Sequence, residues 1–221
     1  MKNISALPRQ RQLALWAGVI GPALFVLVFL LEGALRPGYN ALNTYVSALS
    51  LGPRGWIQIA NFLLFGGLLL AFTWALRGVF PSGKASRGGV ILLAIIGIGY
   101  LASGPFVMDP MGTPLSEATW HGTTHGILGG IVFLLMPISI FVFLRRFRAE
   151  PRWQALATWT LVLGIICALA DILFTFASKL PALQTVFVDW FGLIQRGVIV
   201  PFMLWLFIFA LALQRAPAAN R

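Results

Sequence analysis

Cysteine, histidine and acidic residues are scarce in this sequence. Cys167 is the only cysteine among 221 residues, so the chain cannot form an intrachain disulfide or a CxxC-type metal site. There are only two histidines and six acidic residues. No P-loop or other nucleotide-binding motif is present, which argues against a primary pump. The few polar side chains that lie within apolar runs are therefore the candidates for function.

Charge of either sign is also rare. Only 10% of the residues are charged and 59% are hydrophobic, and the mean hydropathy is +0.88. Soluble domains are roughly one quarter charged, so this composition predicts a membrane protein. The net charge of +10 could indicate nucleic-acid binding. Because the basic residues form short clusters between apolar runs, we expect them to bind anionic lipid headgroups and not nucleic acid.

Six apolar runs predict six membrane-spanning helices in one all-α integral membrane domain over residues 1–221. The first run, 13–31, has 19 residues and no small-residue cleavage site, so we expect it to remain as a membrane anchor. Because the loops are short, we expect an antiparallel six-helix bundle. The predicted helices span approximately residues 13–32, 56–76, 89–107, 120–144, 155–177 and 186–213.

The basic residues are distributed unevenly between the two ends of the predicted bundle. Twelve of the 16 lie in the N-terminal tail, the second and fourth loops and the C-terminal tail, and three lie in the other loops. The last, Arg196, lies within the sixth helix. This asymmetry predicts a protein of the cell membrane with both termini in the cytoplasm.

Five of the polar residues inside the predicted helices are expected at similar depths in the outer half of the membrane. They are Arg196, Asp171, His125, Asn61 and Tyr100. A charged side chain at the bilayer centre costs about 2.5–3.5 kcal/mol on insertion scales, so each one needs a partner. One interpretation is an Asp171–Arg196 ion pair that fixes helix packing. The other is an outward-facing pocket in which Arg196 binds a carboxylate or phosphate headgroup.

The two histidines, His121 and His125, are four residues apart and lie on one face of the predicted fourth helix. With Asp109 from the preceding loop they could bind zinc or another divalent metal as a 2-His-1-carboxylate set. A structural or pH-sensitive role for the histidines is the alternative. A bis-histidine haem is not expected, because both histidines lie on the same face. The glycine pairs Gly97/Gly99 and Gly129/Gly130 predict close helix packing.

Three short motifs follow the first apolar run. They are P-G-Y-N at 37–40, Y-V-S-A-L-S at 45–50 and W-x-x-x-x-N-F at 56–62. With these motifs the chain resembles, over nearly its whole length, a family of six-span prokaryotic membrane proteins known as domain of unknown function 998. Asn40, which ends the first motif, joins the candidate ligand-binding residues.

The resemblance also concerns the third and fourth helices. Members similarly show an aspartate and a histidine there, and Asp109 with His121 or His125 would fill those positions. Many members carry an acid after the first serine of the S-x-L-S element, where this chain has Ala48, so a role of that acid is not carried over. More distantly, the layout is similar to the Frag1/DRAM/Sfk1 membrane proteins, which are linked to lipid handling. Likeness of layout does not itself imply function.

Three functions are compatible with the sequence. The first is a membrane protein with an outward-facing polar pocket that binds a lipid or other amphipathic ligand. The second is a metal-dependent intramembrane lipid hydrolase that uses His121, His125 and Asp109. The third is a structural or regulatory membrane subunit in which the polar layer only orders the bundle.

Overall fold

The computed structural model describes residues 4–215, apart from the side chain of Ser5, and this part of the chain contains no strand. Lys2 and Arg221, which contribute to the predicted orientation, lie outside the described residues. The α-helices are α1 (Arg9–Leu35), α2 (Gly55–Val79), α3 (Gly88–Ala102), α4 (Trp120–Phe147), α5 (Gln154–Lys179), α6 (Pro181–Phe187) and α7 (Phe191–Arg215).

Five helical segments are long and apolar enough to cross a membrane. They are Arg9–Leu35, Gly55–Val79, Trp120–Phe147, Pro151–Lys179 and Pro181–Arg215. Helix α3 is apolar but has only 15 residues. Its predicted end at residue 107 was wrong, because Pro105 disfavours the helical conformation of Gly104. The predicted sixth helix began too early, since the short α6 and a 3-10 turn (Val188–Trp190) precede α7.

The six longer helices form a closed ring in which each packs against its neighbours in the order α1, α2, α3, α4, α5, α7 and back to α1. Neighbouring helices run in opposite directions, because residues early in one helix contact residues late in the next. For example, Gly66 of α2 approaches Gly97 of α3, and Gly104 lies near Leu63. The predicted antiparallel arrangement of sequential helices is therefore present in the described residues.

Aromatic side chains fill the centre of the ring, and aliphatic side chains cover its outside. Fully buried rings include Phe25, Phe72 and Trp205. Large apolar side chains such as Leu30 and Ile131 are about half exposed on the outer faces. Apolar side chains thus occupy both the interior and the outer faces, as expected of a bundle whose outer surface contacts lipid.

The two ends of the bundle differ in chemistry. We call the end formed by loops 36–54, 103–119 and 180–190 the pocket end. The opposite end, formed by loops 80–87 and 148–153 with the start of α1 and the end of α7, is the basic end. At the basic end the arginines Arg146 and Arg152 both pair with Glu150, at 3.2 and 2.6 Å.

A charged cluster fastens the first loop onto the pocket end. Glu32, only 3% exposed, pairs with Arg36 at 2.9 Å and with Arg54 at 2.5 Å. Arg36 also donates hydrogen bonds to the carbonyls of Leu49 (2.8 Å) and Leu51 (3.0 Å). The carboxylate therefore connects the end of α1, the start of α2 and the buried turn between them.

Candidate functional site

A cavity of about 580 Å³ lies at the pocket end, bordered by α1, α2, α3, α4, α5 and α7 and by the first and third loops. Its volume falls within the roughly 300–1,000 Å³ of typical small-molecule sites. Part of its wall is aromatic, including Phe25, Phe62, Phe133 and Phe174. The cavity therefore combines apolar walls with a few polar groups.

Three of the predicted ligand-binding residues are buried and line the cavity. They are Asp171, Tyr100 and His125. Asp171 is 9% exposed, and its carboxylate has no hydrogen bond or ion pair with any residue between 4 and 215. The buried hydroxyl of Tyr100 likewise lacks a hydrogen-bond partner. The Nδ1 atom of His125 lies 2.7 Å from the carbonyl oxygen of Phe106. The cavity thus contains polar atoms that the described part of the protein leaves unpartnered.

Glycines form the α4 wall of the cavity. Gly126, Gly129 and Gly130 line it, and a Cβ atom built on any of them would meet no atom within 4 Å. The prediction that Gly129 and Gly130 allow close helix packing was wrong, because these residues face open space. The same prediction is confirmed for Gly97, where a Cβ would lie 3.1 Å from Leu70.

The first loop covers the cavity next to the start of α7. The backbone N–H of Val46 donates to the side-chain oxygen of Gln195 at 2.7 Å. The ring of Tyr45 packs against Phe174 and Phe191, with centroids 5.6 and 5.9 Å apart. Burial raises the pKa of Tyr45 to about 12, so its phenol stays neutral at physiological pH.

Asp109 supports the mouth of the cavity through helix α4. Its carboxylate accepts hydrogen bonds from the backbone N–H of Thr119 (2.9 Å) and from the Thr119 hydroxyl (2.7 Å). Thr119 is the N-cap of α4 and accepts from the N–H of Gly122 at 3.0 Å. A hydroxyl that accepts one hydrogen bond and donates another is well suited to an N-cap position. Asp109 therefore fixes the start of the helix that carries both histidines.

Arg196 does not lie at the cavity, and the predicted Asp171–Arg196 ion pair is not formed. The Arg196 guanidinium donates to the carbonyls of Ala41 (2.8 Å), Thr44 (3.1 Å) and Gly192 (2.8 Å). It also donates to the hydroxyl of Tyr39. The physical reason is rotation about the helix axis: residues 195 and 196 are about 100° apart, so Gln195 faces the cavity and Arg196 faces α1 and the first loop.

The two predicted asparagines also lie outside the cavity lining. Asn61 is buried on α2 and donates to the carbonyl of Phe25 at 3.1 Å, joining α2 to α1. Asn40 accepts a hydrogen bond from the backbone N–H of Leu42 at 3.0 Å within an exposed turn. Of the six candidate ligand-binding residues, the cavity brings together only Asp171, His125 and Tyr100.

The proposed metal ligands are not assembled into a metal site. Among residues 4–215, no group of three histidine, cysteine, aspartate or glutamate side chains is placed to hold a metal ion. Both oxygens of Asp109 are engaged by Thr119. The ring of His121 packs against Trp120 and Phe106, at centroid distances of 4.1 and 5.8 Å. Only His125 faces the cavity with a free ring nitrogen.

Sequence reasoning missed several residues of the site. Gln195 and Ser103 are buried polar residues of the lining, and Glu32 fastens the loop above it. Glu32 appeared only as the end of the predicted first helix, and its separation from Arg54 by 22 positions hid the pair. The signal that could have found the cavity was the run of glycines on one side of α4, next to the buried His125.

The chain matches the family model described as Protein of unknown function (DUF998) over residues 19–212. It belongs to this family. The match covers α2, α3, α4 and α5 completely, most of α1 and α7, and every residue that lines the cavity of this DUF998 chain. In the same comparisons, no curated protein and no solved structure matches the chain. The DUF998 assignment therefore gives a multi-pass membrane protein, and its chemistry has to be argued from its own residues.

Proposed function

We propose that this multi-pass membrane protein binds a membrane amphiphile in the cavity at its pocket end. The observation that carries the proposal is Asp171, a buried carboxylate on a membrane-spanning helix that faces a cavity and has no partner within residues 4–215. A charge at membrane depth is stable only when it is paired or solvated, so such residues typically mark binding sites or pathways. Tyr100 also borders this cavity, and its buried hydroxyl has no hydrogen-bond partner in the same residues.

An apolar groove on the outer face of α4 adjoins the cavity and supports an amphipathic ligand. The groove shares Gly126, Gly130 and Leu134 with the cavity lining, and Ile127 and Ile131 extend it along the helix. Both isoleucines are exposed on the surface that would contact lipid. An alkyl chain could follow this groove between the bilayer and the cavity, while the polar end of the same molecule reaches the buried polar groups.

Photoaffinity labelling in lipid nanodiscs tests the proposal. The probe is dodecanol that carries a diazirine on its alkyl chain, and labelled peptides are located by mass spectrometry. We expect labelling within residues 126–134 and on the facing part of α5. Gly129→Leu should reduce this labelling about tenfold, because the new side chain takes up cavity space from a position where a Cβ has no neighbour within 4 Å.

Gly67→Leu is the matched control. Gly67 lies on an exposed face of α2, has open space around it and does not line the cavity. It should therefore leave labelling unchanged. Labelling spread evenly over the outer helix faces, or equal labelling of Gly129→Leu and the parent chain, would refute a binding cavity.

We further propose six membrane crossings with the basic end in the cytoplasm of the cell. Helix α3 is about 22 Å long at 1.5 Å per residue, and the segment after it completes the crossing beside the cavity. Non-helical backbone is tolerated at membrane depth where it borders a cavity. Ser103 and Met108 of this segment line the cavity. Arg77, Arg87 and Arg145 lie at the basic end, in keeping with the positive-inside bias.

This orientation predicts that a C-terminal epitope tag is protected from added protease in right-side-out spheroplasts and is digested after permeabilisation. A tag inserted after Leu115, an exposed residue of the third loop, should already be digested in the intact spheroplasts. Digestion of the C-terminal tag in intact spheroplasts would contradict the proposed orientation.

A further inference from the structure

The two buried acids of the pocket end, Glu32 and Asp171, have opposite surroundings. Glu32 is 3% exposed and pairs with two arginines. Asp171 is 9% exposed, yet no arginine or lysine within the described residues lies within ion-pair distance of its carboxylate. The guanidinium of Arg196, which comes from the neighbouring helix, is engaged by backbone carbonyls and Tyr39. Within the described residues, Glu32 therefore has a counter-charge and Asp171 has none.

We propose that the missing counter-charge is supplied by the ligand, so that the cavity is selective for long-chain amines, with the ammonium group bound at Asp171. This inference rests on the proposed amphiphile-binding function and specifies its ligand class. Burying an unpaired carboxylate is costly, and pairing with a cation that enters with the ligand removes that cost.

Two further side chains of the lining, His125 and Ser103, also suit an ammonium group, because each offers a hydrogen-bond acceptor. The carbonyl oxygen of Phe106 can only accept, so Nδ1 of His125 carries the proton in this contact and Nε2 of the neutral ring remains an acceptor. The Ser103 hydroxyl donates to the Gly99 carbonyl at 2.9 Å, which leaves its lone pairs free. An ammonium group brings three donors to this set of acceptors.

Aromatic rings add to the preference for a cation. The ring of Phe62 lies 6.1 Å from the rings of both Tyr100 and His125, and Phe25 lies 5.2 Å from Tyr100. The faces of such rings attract cations in desolvated sites. A carboxylate or phosphate headgroup would find little positive charge here, because within residues 4–215 the exposed Lys179 is the only lysine or arginine of the lining.

The experiment compares three diazirine probes that share one dodecyl chain and differ only in the headgroup: amine, alcohol and carboxylate. With the parent chain in neutral nanodiscs, we expect the amine to label residues 126–134 about tenfold more than the carboxylate. Asp171→Asn, which is nearly isosteric, should lower the ratio to below about twofold while the alcohol still labels the cavity. Asp171→Glu should restore the preference for the amine.

Asp189→Asn is the matched control, since Asp189 is an exposed acid of the same end that does not line the cavity. It removes the same charge and should keep the full amine preference. A preference that persists in Asp171→Asn, or carboxylate labelling equal to amine labelling in the parent chain, overturns the inference but leaves amphiphile binding intact. If none of the three probes labels the cavity of the parent chain, the proposed function itself fails, and this inference fails with it.

Discussion

Replacing Gly66 with alanine should destabilise the protein by about 2 kcal/mol, whereas the same change at the next residue, Gly67, should not. A Cβ atom on Gly66 would lie 2.7 Å from the carbonyl oxygen of Gly97 and 2.7 Å from the backbone nitrogen of Leu101. Both of these atoms belong to the backbone of α3, so they cannot move aside as a flexible side chain would. The two helices would have to separate, and the packing between them would be lost.

Gly67→Ala is the matched control because a Cβ there has open space. Alanine is the better helix former by about 1 kcal/mol, so this variant should be as stable as the parent or slightly more stable. Cys167, the only cysteine, is fully buried and therefore reports unfolding through a thiol-reactive fluorophore. We expect the melting temperature of Gly66→Ala to fall by about 6 °C. Equal melting temperatures for the two variants would show that α2 and α3 do not approach so closely.

Glu32→Gln should lower the free energy of unfolding by about 3 kcal/mol. Removing the carboxylate leaves the guanidinium groups of Arg36 and Arg54 close together without an acid between them. We use the lower end of the range for broken buried pairs, because the side chain of Arg54 is 46% exposed and can regain water. Since Arg36 also holds the carbonyls of Leu49 and Leu51, the buried turn of the first loop should loosen at the same time.

Glu117→Gln provides the control for this change, because Glu117 is exposed at the same end of the bundle and forms no ion pair with any other residue between 4 and 215. The same cysteine-reporter assay should detect no change for it. Hydrogen exchange of residues 45–51 should increase in Glu32→Gln and not in Glu117→Gln. If both variants have the same melting temperature as the parent chain, the cluster around Glu32 contributes nothing to stability.

Depth in the membrane could be read from the sequence, but direction around a helix could not. Counting residues from the helix ends placed Asp171, His125 and Tyr100 at similar depth, and all three line one cavity. The same count placed Arg196 and Asn61 there, although both face away from it. A residue one position along is rotated by about 100°, so the neighbours Gln195 and Phe62 occupy the cavity wall instead.

The helical fold followed directly from composition, and the errors came from local chemistry. The apolar runs were sufficient to predict an all-α membrane bundle, whereas Pro105 shortened α3 and α7 began only at Phe191. Glycine gave the least reliable signal, because a missing side chain serves two opposite purposes. At Gly97 it lets a neighbouring helix come close, and at Gly129 it keeps the space beside α4 empty.

The glycines of the α4 wall have a consequence for protein engineering. Gly126, Gly129 and Gly130 each point into unoccupied volume. Alanine, valine or leucine at these sites should therefore shrink the chamber in graded steps while also strengthening the helix. A small panel of such variants would rank bound molecules by the cross-section that the chamber still accepts.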